Sequence, residues 1–221
     1  MIVMKYQDSM YRGTHSGRDK TFANLSEAFW FPKMYEYVAL YVKTCHICQL
    51  VKDPNIKSRS FLGEIEASFP MDLISIDLWK PGVKSRSGNK YVLTIIDGFS
   101  KFVHIIALPS KKADVVAKAL MQFITTFGVP NRIHSDLGKE FVNKVLSALL
   151  EILGSTKSNT TAYHPQGNAY AERIHKFFRQ AVASYYEDDH RIWDEYLPIL
   201  TMCYNDSYHS KLFKCPDHCC F

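Results

Sequence analysis

The chain has 221 residues, enough to bury the core of one medium domain with a small appendage. Apolar residues make up 47% and charged residues 22%, which excludes a disordered chain, and the net charge of +5 agrees with a nucleic-acid partner without establishing one. No run of about 18 apolar residues is present and the opening MIVMKYQDSM is too short and polar for a signal peptide, so an intracellular protein with no membrane partner is expected.

In chain order, residues 1–20 contain QDS and then HSGRDKT, with His15 as the first histidine. A helix is expected over Asn24–Phe29, and Pro32 ends or restarts it. Tyr37, Val38, Leu40, Tyr41 and Val42 are spaced for a second helix over Tyr35–Val42. Cys45 and Cys48 follow as CHIC. By itself a CxxC is a weak signal, produced by chance, redox chemistry or metal binding alike. The remaining cysteines are Cys203 and Cys215/Cys219/Cys220, a clustering that suits metal sites or free thiols better than a disulfide framework. His46 reads as an exposed loop residue. Residues 52–70 are polar, hold Pro54 and Pro70, and read as a linker.

From Met71 the pattern changes. Met71–Leu78, Tyr91–Asp97 and Val103–Leu108 are short β-rich runs divided by turn chemistry, which predicts an antiparallel three-stranded meander. Alternation places Leu73, Ser75 and Asp77 on one face of the first strand and Ile74, Ile76 and Leu78 on the other. Tyr91–Ile96 is apolar throughout, as in a strand buried on both faces. Ala113–Phe127 has helical spacing, GVPNRIHSD gives a strand ending at Asp136, and Lys139–Leu153 is a second amphipathic helix stopped by Gly154. STKSNT is the fifth strand, residues 160–168 form a loop, a long helix runs from about Gly167 to Glu187, and Asp194–Tyr204 is the last helix.

Three carboxylates stand out. Asp77 interrupts an apolar run, where burial is costly unless the group is paired or bound to metal. Asp136 and Glu172 are separated by 35 residues. Three such groups are what a site needs to hold two divalent cations against a phosphodiester. Asp97 competes with them and reads as a cap on the turn after its strand, while Asp72 and Asp114 read as surface or helix-capping residues.

The acidic set, with PQGNAYAER around Glu172, resembles the catalytic core of retroviral and Ty3/gypsy-type retrotransposon integrases. HSGRDKT followed by FWFPKMYEYVALYVKTCHICQ resembles the zinc module at their N-terminus, with its HxGxxKT…YWPxM…YVxxCxxCQ pattern. The resemblance implies an α/β fold: a ribonuclease H-like five-stranded mixed sheet with flanking helices, preceded by a small helical zinc-binding-like module. The expected domains are 1–51 for that module, 52–70 for the linker, 71–209 for the catalytic core and 210–221 for an aberrant or truncated tail. Cys215, His218, Cys219 and Cys220 belong to that tail, which a truncation or frame change explains better than a metal cluster does.

By the same resemblance, Asp77, Asp136 and Glu172 bind Mg²⁺ or Mn²⁺ as a two-metal site and the chain is a DNA-integrating polynucleotidyl transferase. Lys176 and Arg179, four and seven residues beyond Glu172, lie along a helix face suited to a phosphate backbone. His164 and Gln166 lie in the loop that shapes access to the metals. His15, Cys45 and Cys48 correspond to zinc ligands. A further histidine is replaced, since QDS stands where the family has HDS; Asp8 can bind zinc through oxygen, whereas Gln7 is a poor ligand. DNA, further copies of the chain and a nuclear location are the implied partners and place. The alternative reading is a domesticated copy that acts as a nucleic-acid- or protein-binding module without catalysis.

Overall fold

The apolar run Leu73–Trp79 forms strand β1, and the computed structural model places it at the centre of a five-stranded sheet. Residues 2–9, 15–51, 67–135, 144–159, 169–185, 190–207 and 209 are described, with side chains at all of these except 51, 144–146, 158–159, 169–173 and 183–185. The expected linker and tail lie almost wholly outside them, as do the expected loop 160–168 and the start of the helix expected from Lys139.

Strands β2 (Tyr91–Asp97) and β3 (Val103–Leu108) complete an antiparallel meander with β1, in the register Asp77↔Thr94 and Leu93↔Ile106. After helix α5 (Ala113–Phe127), strand β4 (Arg132–Ser135) pairs with β1 in parallel. Helix α6 (Lys144–Leu153) leads to β5 (Thr156–Asn159), parallel to β4, so the sheet order is β3-β2-β1-β4-β5. Helix α7 (Ala169–Tyr185) and, after a 3-10 turn, α8 (Trp193–Asn205) finish the core.

The period of two along β1 and β2 divides the core into two layers. Ile74, Ile76, Leu93 and Ile95 pack against Val116, Leu120, Phe123 and Ile124 of α5 and Leu150 of α6. Val92, Ile96 and Val103 pack against Ile174, Phe178 and Ala181 of α7 and Trp193, Leu197 and Leu200 of α8. β2 is therefore buried on both faces, as its largely apolar sequence predicts. Gly154 takes φ 73° as it closes α6, a left-handed conformation that glycine adopts at little cost. Gly98 serves close approach instead: a Cβ there would meet the Leu73 carbonyl oxygen at 3.1 Å.

Upstream of the sheet, α1 (Ile2–Gln7), α2 (Arg18–Ser26) and α3 (Met34–Thr44) surround Val3, Leu25, Met34 and Val38, and α4 (His46–Val51) packs on α7. The helix expected over Asn24–Phe29 lies earlier, because its buried contacts are Thr21 and Leu25, one turn apart. α4 corrects the expectation of a loop at His46, although that side chain is exposed as expected. Lys20 ties the helical module to the core: its Nζ donates to Ser207 Oγ at 2.8 Å and lies 5.0 Å from the Tyr204 ring centroid.

Asp72 is also corrected. Rather than capping a helix or lying at the surface, it is buried just before β1, where it accepts from the Ser68 N–H at 2.9 Å and from Arg132 Nη2 at 2.9 Å. The Ser68 N–H, with the Arg132 guanidinium, holds this carboxyl below the usual carboxylate range. Asp114 is exposed in the first turn of α5, as expected.

Asn205 clamps α8 to β3: its Oδ1 accepts from the Val103 N–H at 2.9 Å and its Nδ2 donates to the Val103 carbonyl at 2.8 Å, all buried. Asn205→Leu leaves both backbone groups without these partners and is expected to cost about 1–3 kcal/mol, read as a lower urea midpoint. An unchanged midpoint would show that the clamp contributes nothing.

Candidate functional site

Asp77 lies near the end of β1, on the face covered by α7. Its side chain is 13% exposed. Oδ1 accepts from the Leu78 N–H at 2.9 Å, and Oδ2 lies 3.6 Å from His175 Nδ1 of α7. The other ring nitrogen of His175 is 3.2 Å from Thr94 Oγ1, on the β2 residue that pairs with Asp77. Burial, with the charge of Arg179 adding to it, pushes His175 down to about 4, so the ring is neutral at pH 7. A neutral ring satisfies this chain when Thr94 O–H donates to Nε2 and the Nδ1 proton faces Asp77. The ring also lies against the Trp79 indole, with centroids 5.2 Å apart.

The register Ile76↔Ser135 brings the end of β4 alongside Asp77. Asp136 follows Ser135 directly in the chain and lies outside the described residues, as do His164 and Gln166. Glu172 lies on α7 three residues before His175, one turn from the ring that touches Asp77; its side chain is not among those described. Lys176 is half-buried, and Arg179 is exposed with its Nε 3.4 Å from the His175 carbonyl oxygen. His175 is the residue that sequence reasoning missed. Its spacing of three from Glu172 on a helix was the available signal.

Asp97 is a turn residue, as expected. Its Oδ2 accepts from the Ser100 N–H at 2.7 Å and from Ser100 Oγ at 2.5 Å, and its Oδ1 accepts from the Met71 N–H at 2.9 Å. These donors hold together the β2–β3 turn and the entry to β1.

The second group lies in the helical module. His15 Nδ1 is 3.4 Å from Cys45 Sγ and 3.7 Å from Cys48 Sγ, and the three ligand atoms all lie within 4.8 Å of one another. A tetrahedral zinc with bonds of about 2.0 Å to nitrogen and 2.3 Å to sulfur holds those atoms roughly 3.5 Å apart, so this trio fits zinc. His15 adopts the left-handed region at φ 49°, and its N–H donates to the Gln7 carbonyl at 3.0 Å.

Gln7 fills the place of the missing histidine. It is fully buried, and its Nε2 donates to the Ser16 carbonyl at 3.1 Å and to Cys48 Sγ at 3.4 Å. Its Oε1 accepts from Thr21 Oγ1 at 2.5 Å. The Ser16 carbonyl fixes the orientation of the amide, since only nitrogen can donate there. Gln7 thus turns a donor, not a ligand atom, toward the cysteine. Asp8 Oδ1 is 3.9 Å from His15 Nδ1, and its Oδ2 accepts from Tyr41 Oη at 2.6 Å. Burial and that bond to Asp8 raise Tyr41 far above the usual phenol value, so it acts as a hydrogen-bond donor.

Among the described residues, Val3, Leu25, Met34 and Val38 form the buried apolar cluster of this module, a small core, which predicts dependence on metal. Chelation is expected to lower the helical signal in far-UV circular dichroism and the module's melting temperature, with recovery on added Zn²⁺. A spectrum and melt indifferent to chelator would contradict this.

Residues 1–54 match the family model described as the integrase zinc binding domain, and residues 67–165 match the integrase core domain. The chain is 28% identical over 216 residues to the retrovirus-related Pol polyprotein from transposon 412 of Drosophila melanogaster, with 97% of the chain covered. It is 26% identical over 194 residues to the Pro-Pol polyprotein of simian foamy virus type 3, with 88% covered. To the gypsy retrotransposon integrase-like protein 1 of Bos taurus it is 25% identical over 194 residues, with 87% covered. The chain spans 18%, 17% and 38% of these relatives' own lengths, respectively. Among solved structures, a chain of the simian T-cell lymphotropic virus intasome in complex with PP2A regulatory subunit B56 gamma matches 93% of this chain and 71% of its own, with a TM-score of 0.63 at 18% identity. The catalytic core domain of BIV integrase matches 67% of this chain and 92% of its own, with a TM-score of 0.54 at 23% identity. At these identities the two structures bear on the fold, and they agree with the ribonuclease H-like sheet order found here. The chain belongs to the retroviral and retrotransposon integrase family, with a zinc-binding domain ahead of an integrase core domain.

Proposed function

We propose that this chain is a metal-dependent polynucleotidyl transferase that joins DNA ends into DNA, with Asp77, Asp136 and Glu172 as its metal ligands. The observation that supports this reading most is the parallel pairing of β1 with β4, which lines up the strand end before Asp136 with Asp77. The contact of Asp77 with α7, one turn from Glu172, adds to it. Asp77, Asp136 and Glu172 would hold a pair of Mg²⁺ or Mn²⁺ ions there, which would supply Lewis-acid activation of the attacking oxygen, of water or a DNA 3′-hydroxyl, and charge stabilisation for the leaving oxygen. His175 acts as a positioning residue, holding one Asp77 oxygen against the sheet through the Thr94 hydroxyl. Lys176 and Arg179 neutralise phosphates of the DNA, and His164 and Gln166 border the approach.

In this reading residues 1–51 form the zinc module, 52–70 the linker, 71–209 the core and 210–221 a tail. Zinc is held by His15, Cys45, Cys48 and Asp8, with Gln7 donating to the Cys48 sulfur from outside the ligand set. The enzyme works as a homo-oligomer on nuclear DNA. No helix among the described residues is long and apolar enough to cross a membrane. The turned-in nitrogen of Gln7 favours a second reading, in which weakened zinc binding leaves a non-catalytic DNA- or protein-binding module.

Three variants separate these readings. Asp136→Asn removes a metal ligand without adding bulk, so it is expected to abolish metal-dependent nicking and joining while DNA affinity stays nearly intact. Nicking that survives it would exclude the assigned role. Replacing Lys176 and Arg179 together with Ala is expected to weaken binding and reduce the slope of log K against log salt by about 1.8, roughly 0.9 for each phosphate that is no longer neutralised. Asp8→Ala should lower the zinc content of the purified chain; unchanged stoichiometry would remove Asp8 from the ligand set.

A further inference from the structure

The two sulfurs of the helical module stand in different surroundings. Cys48 is buried, and the Gln7 amide donates to its Sγ at 3.4 Å. That amide is held on both sides: its nitrogen also donates to the Ser16 carbonyl at 3.1 Å, and its oxygen accepts from Thr21 Oγ1 at 2.5 Å. Cys45 stands at the joint between α3 and α4, half-buried, beside the exposed His46. Among the described residues, the hydrogen-bonding partner of its sulfur is His15 Nδ1, 3.4 Å away. Neither sulfur is in a disulfide, and the two lie within 4.8 Å of each other.

We infer that Cys45 is a modification site: its thiolate is the nucleophile of the zinc centre toward small disulfides, and Cys48 then completes a Cys45–Cys48 bond that empties the centre. The inference rests on the ligand set His15, Cys45, Cys48 and Asp8 proposed above. Two thiolates and two neutral imidazoles leave a Zn²⁺ centre neutral, whereas a carboxylate in place of one imidazole leaves it with a single negative charge. That charge makes the sulfurs richer in electrons, and the thiolate is the form of cysteine that attacks. A hydrogen bond to a thiolate draws charge from it and covers part of its surface. Gln7 does both for Cys48, so Cys45 is left as the more open and more electron-rich sulfur. In the first step the Cys45 thiolate attacks one sulfur of a disulfide RSSR, which forms Cys45–S–S–R and expels RS⁻. The Cys48 thiolate then attacks Cys45 Sγ and expels the second RS⁻. The two cysteines give up two electrons and RSSR takes them, with no proton transferred. His15 and Asp8 alone remain as ligands, too few for a tetrahedral zinc centre.

The test uses the full chain loaded with zinc, and peptide mass spectrometry separates Cys45 and Cys48 from the chain's other cysteines. With limiting N-ethylmaleimide, Cys45 is expected to be alkylated at least about tenfold faster than Cys48. With 4,4′-dithiodipyridine, zinc release followed by a chromogenic chelator is expected to match, mole for mole, the appearance of a Cys45–Cys48 disulfide. Dithiothreitol with added Zn²⁺ should restore both thiolates and the metal. Gln7→Leu removes the donor at similar side-chain volume and should narrow the alkylation ratio at least about threefold. Equal alkylation of the two sulfurs, faster alkylation of Cys48, zinc release without a Cys45–Cys48 disulfide, or an unchanged ratio in a zinc-loaded Gln7→Leu chain would each overturn the inference while leaving the ligand set in place. The wild-type comparison decides the matter where Gln7→Leu does not fold. A chain that takes up no zinc would overturn the ligand set, and this inference with it.

Discussion

The parallel ladder between β1 and β4 is the constraint on which the core depends. A parallel pair needs a crossover, and here the chain takes it through β2, β3 and α5 before returning as β4 beside β1. That path places β1 at the centre with a neighbour on each side, and it lines up the ends of two strands with an aspartate at or just after each. Asp77 stands within LISIDLW, where burial penalises a carboxylate unless it is paired or bound to metal, and the Leu78 N–H and His175 are partners it has there. Its retention there is coherent if the strand end is a metal-binding edge. Asp97, on the neighbouring strand, shows what a structural carboxylate looks like in this fold: its oxygens serve the Met71 and Ser100 donors of a turn.

Helix α7 joins the sheet to everything else. One side buries Ile174, Phe178 and Ala181 in the core, while His175 reaches Asp77 and Arg179 remains exposed. The helical module packs α4 on this same helix, and Lys20 lies against Tyr204 and Ser207. The group of His15, Cys45 and Cys48 and the Asp77 carboxylate are thus linked through one helix. Gln7 sets an amide donor, not a ligand atom, against the Cys48 sulfur.

Most of the fold was legible in the sequence. β2, β3 and α5 lie where the β-rich runs and helical spacing place them: β2 is buried along nearly its whole length, and α5 buries Val116, Leu120, Phe123 and Ile124 against the sheet. The small helices were harder. α1 and α4 have six residues each, too few to show a period, and they are held by tertiary contacts rather than by their own pattern. Asp72 was misread for a similar reason: its partner Arg132 is 60 residues away, and no local signal marks the pair. At the candidate site, His15, Cys45 and Cys48 were readable from the resemblance of HSGRDKT…CHICQ to the family's zinc module, and the structure brings them together. His175 was not, since a histidine on a helix usually denotes packing, and its contact with Asp77 depends on how α7 crosses the sheet.

The central claim is that Asp77 belongs to a divalent-metal site with Asp136 and Glu172. Crystals of the full chain grown with Mn²⁺ and measured at the manganese absorption edge test it directly. The account predicts anomalous density against the Asp77 carboxylate, with oxygens of Asp136 and Glu172 in the same coordination sphere at about 2.0–2.2 Å, the range for small divalent ions on carboxylates. Manganese bound elsewhere with none at Asp77, or an Asp77 site that includes neither Asp136 nor Glu172, would contradict it.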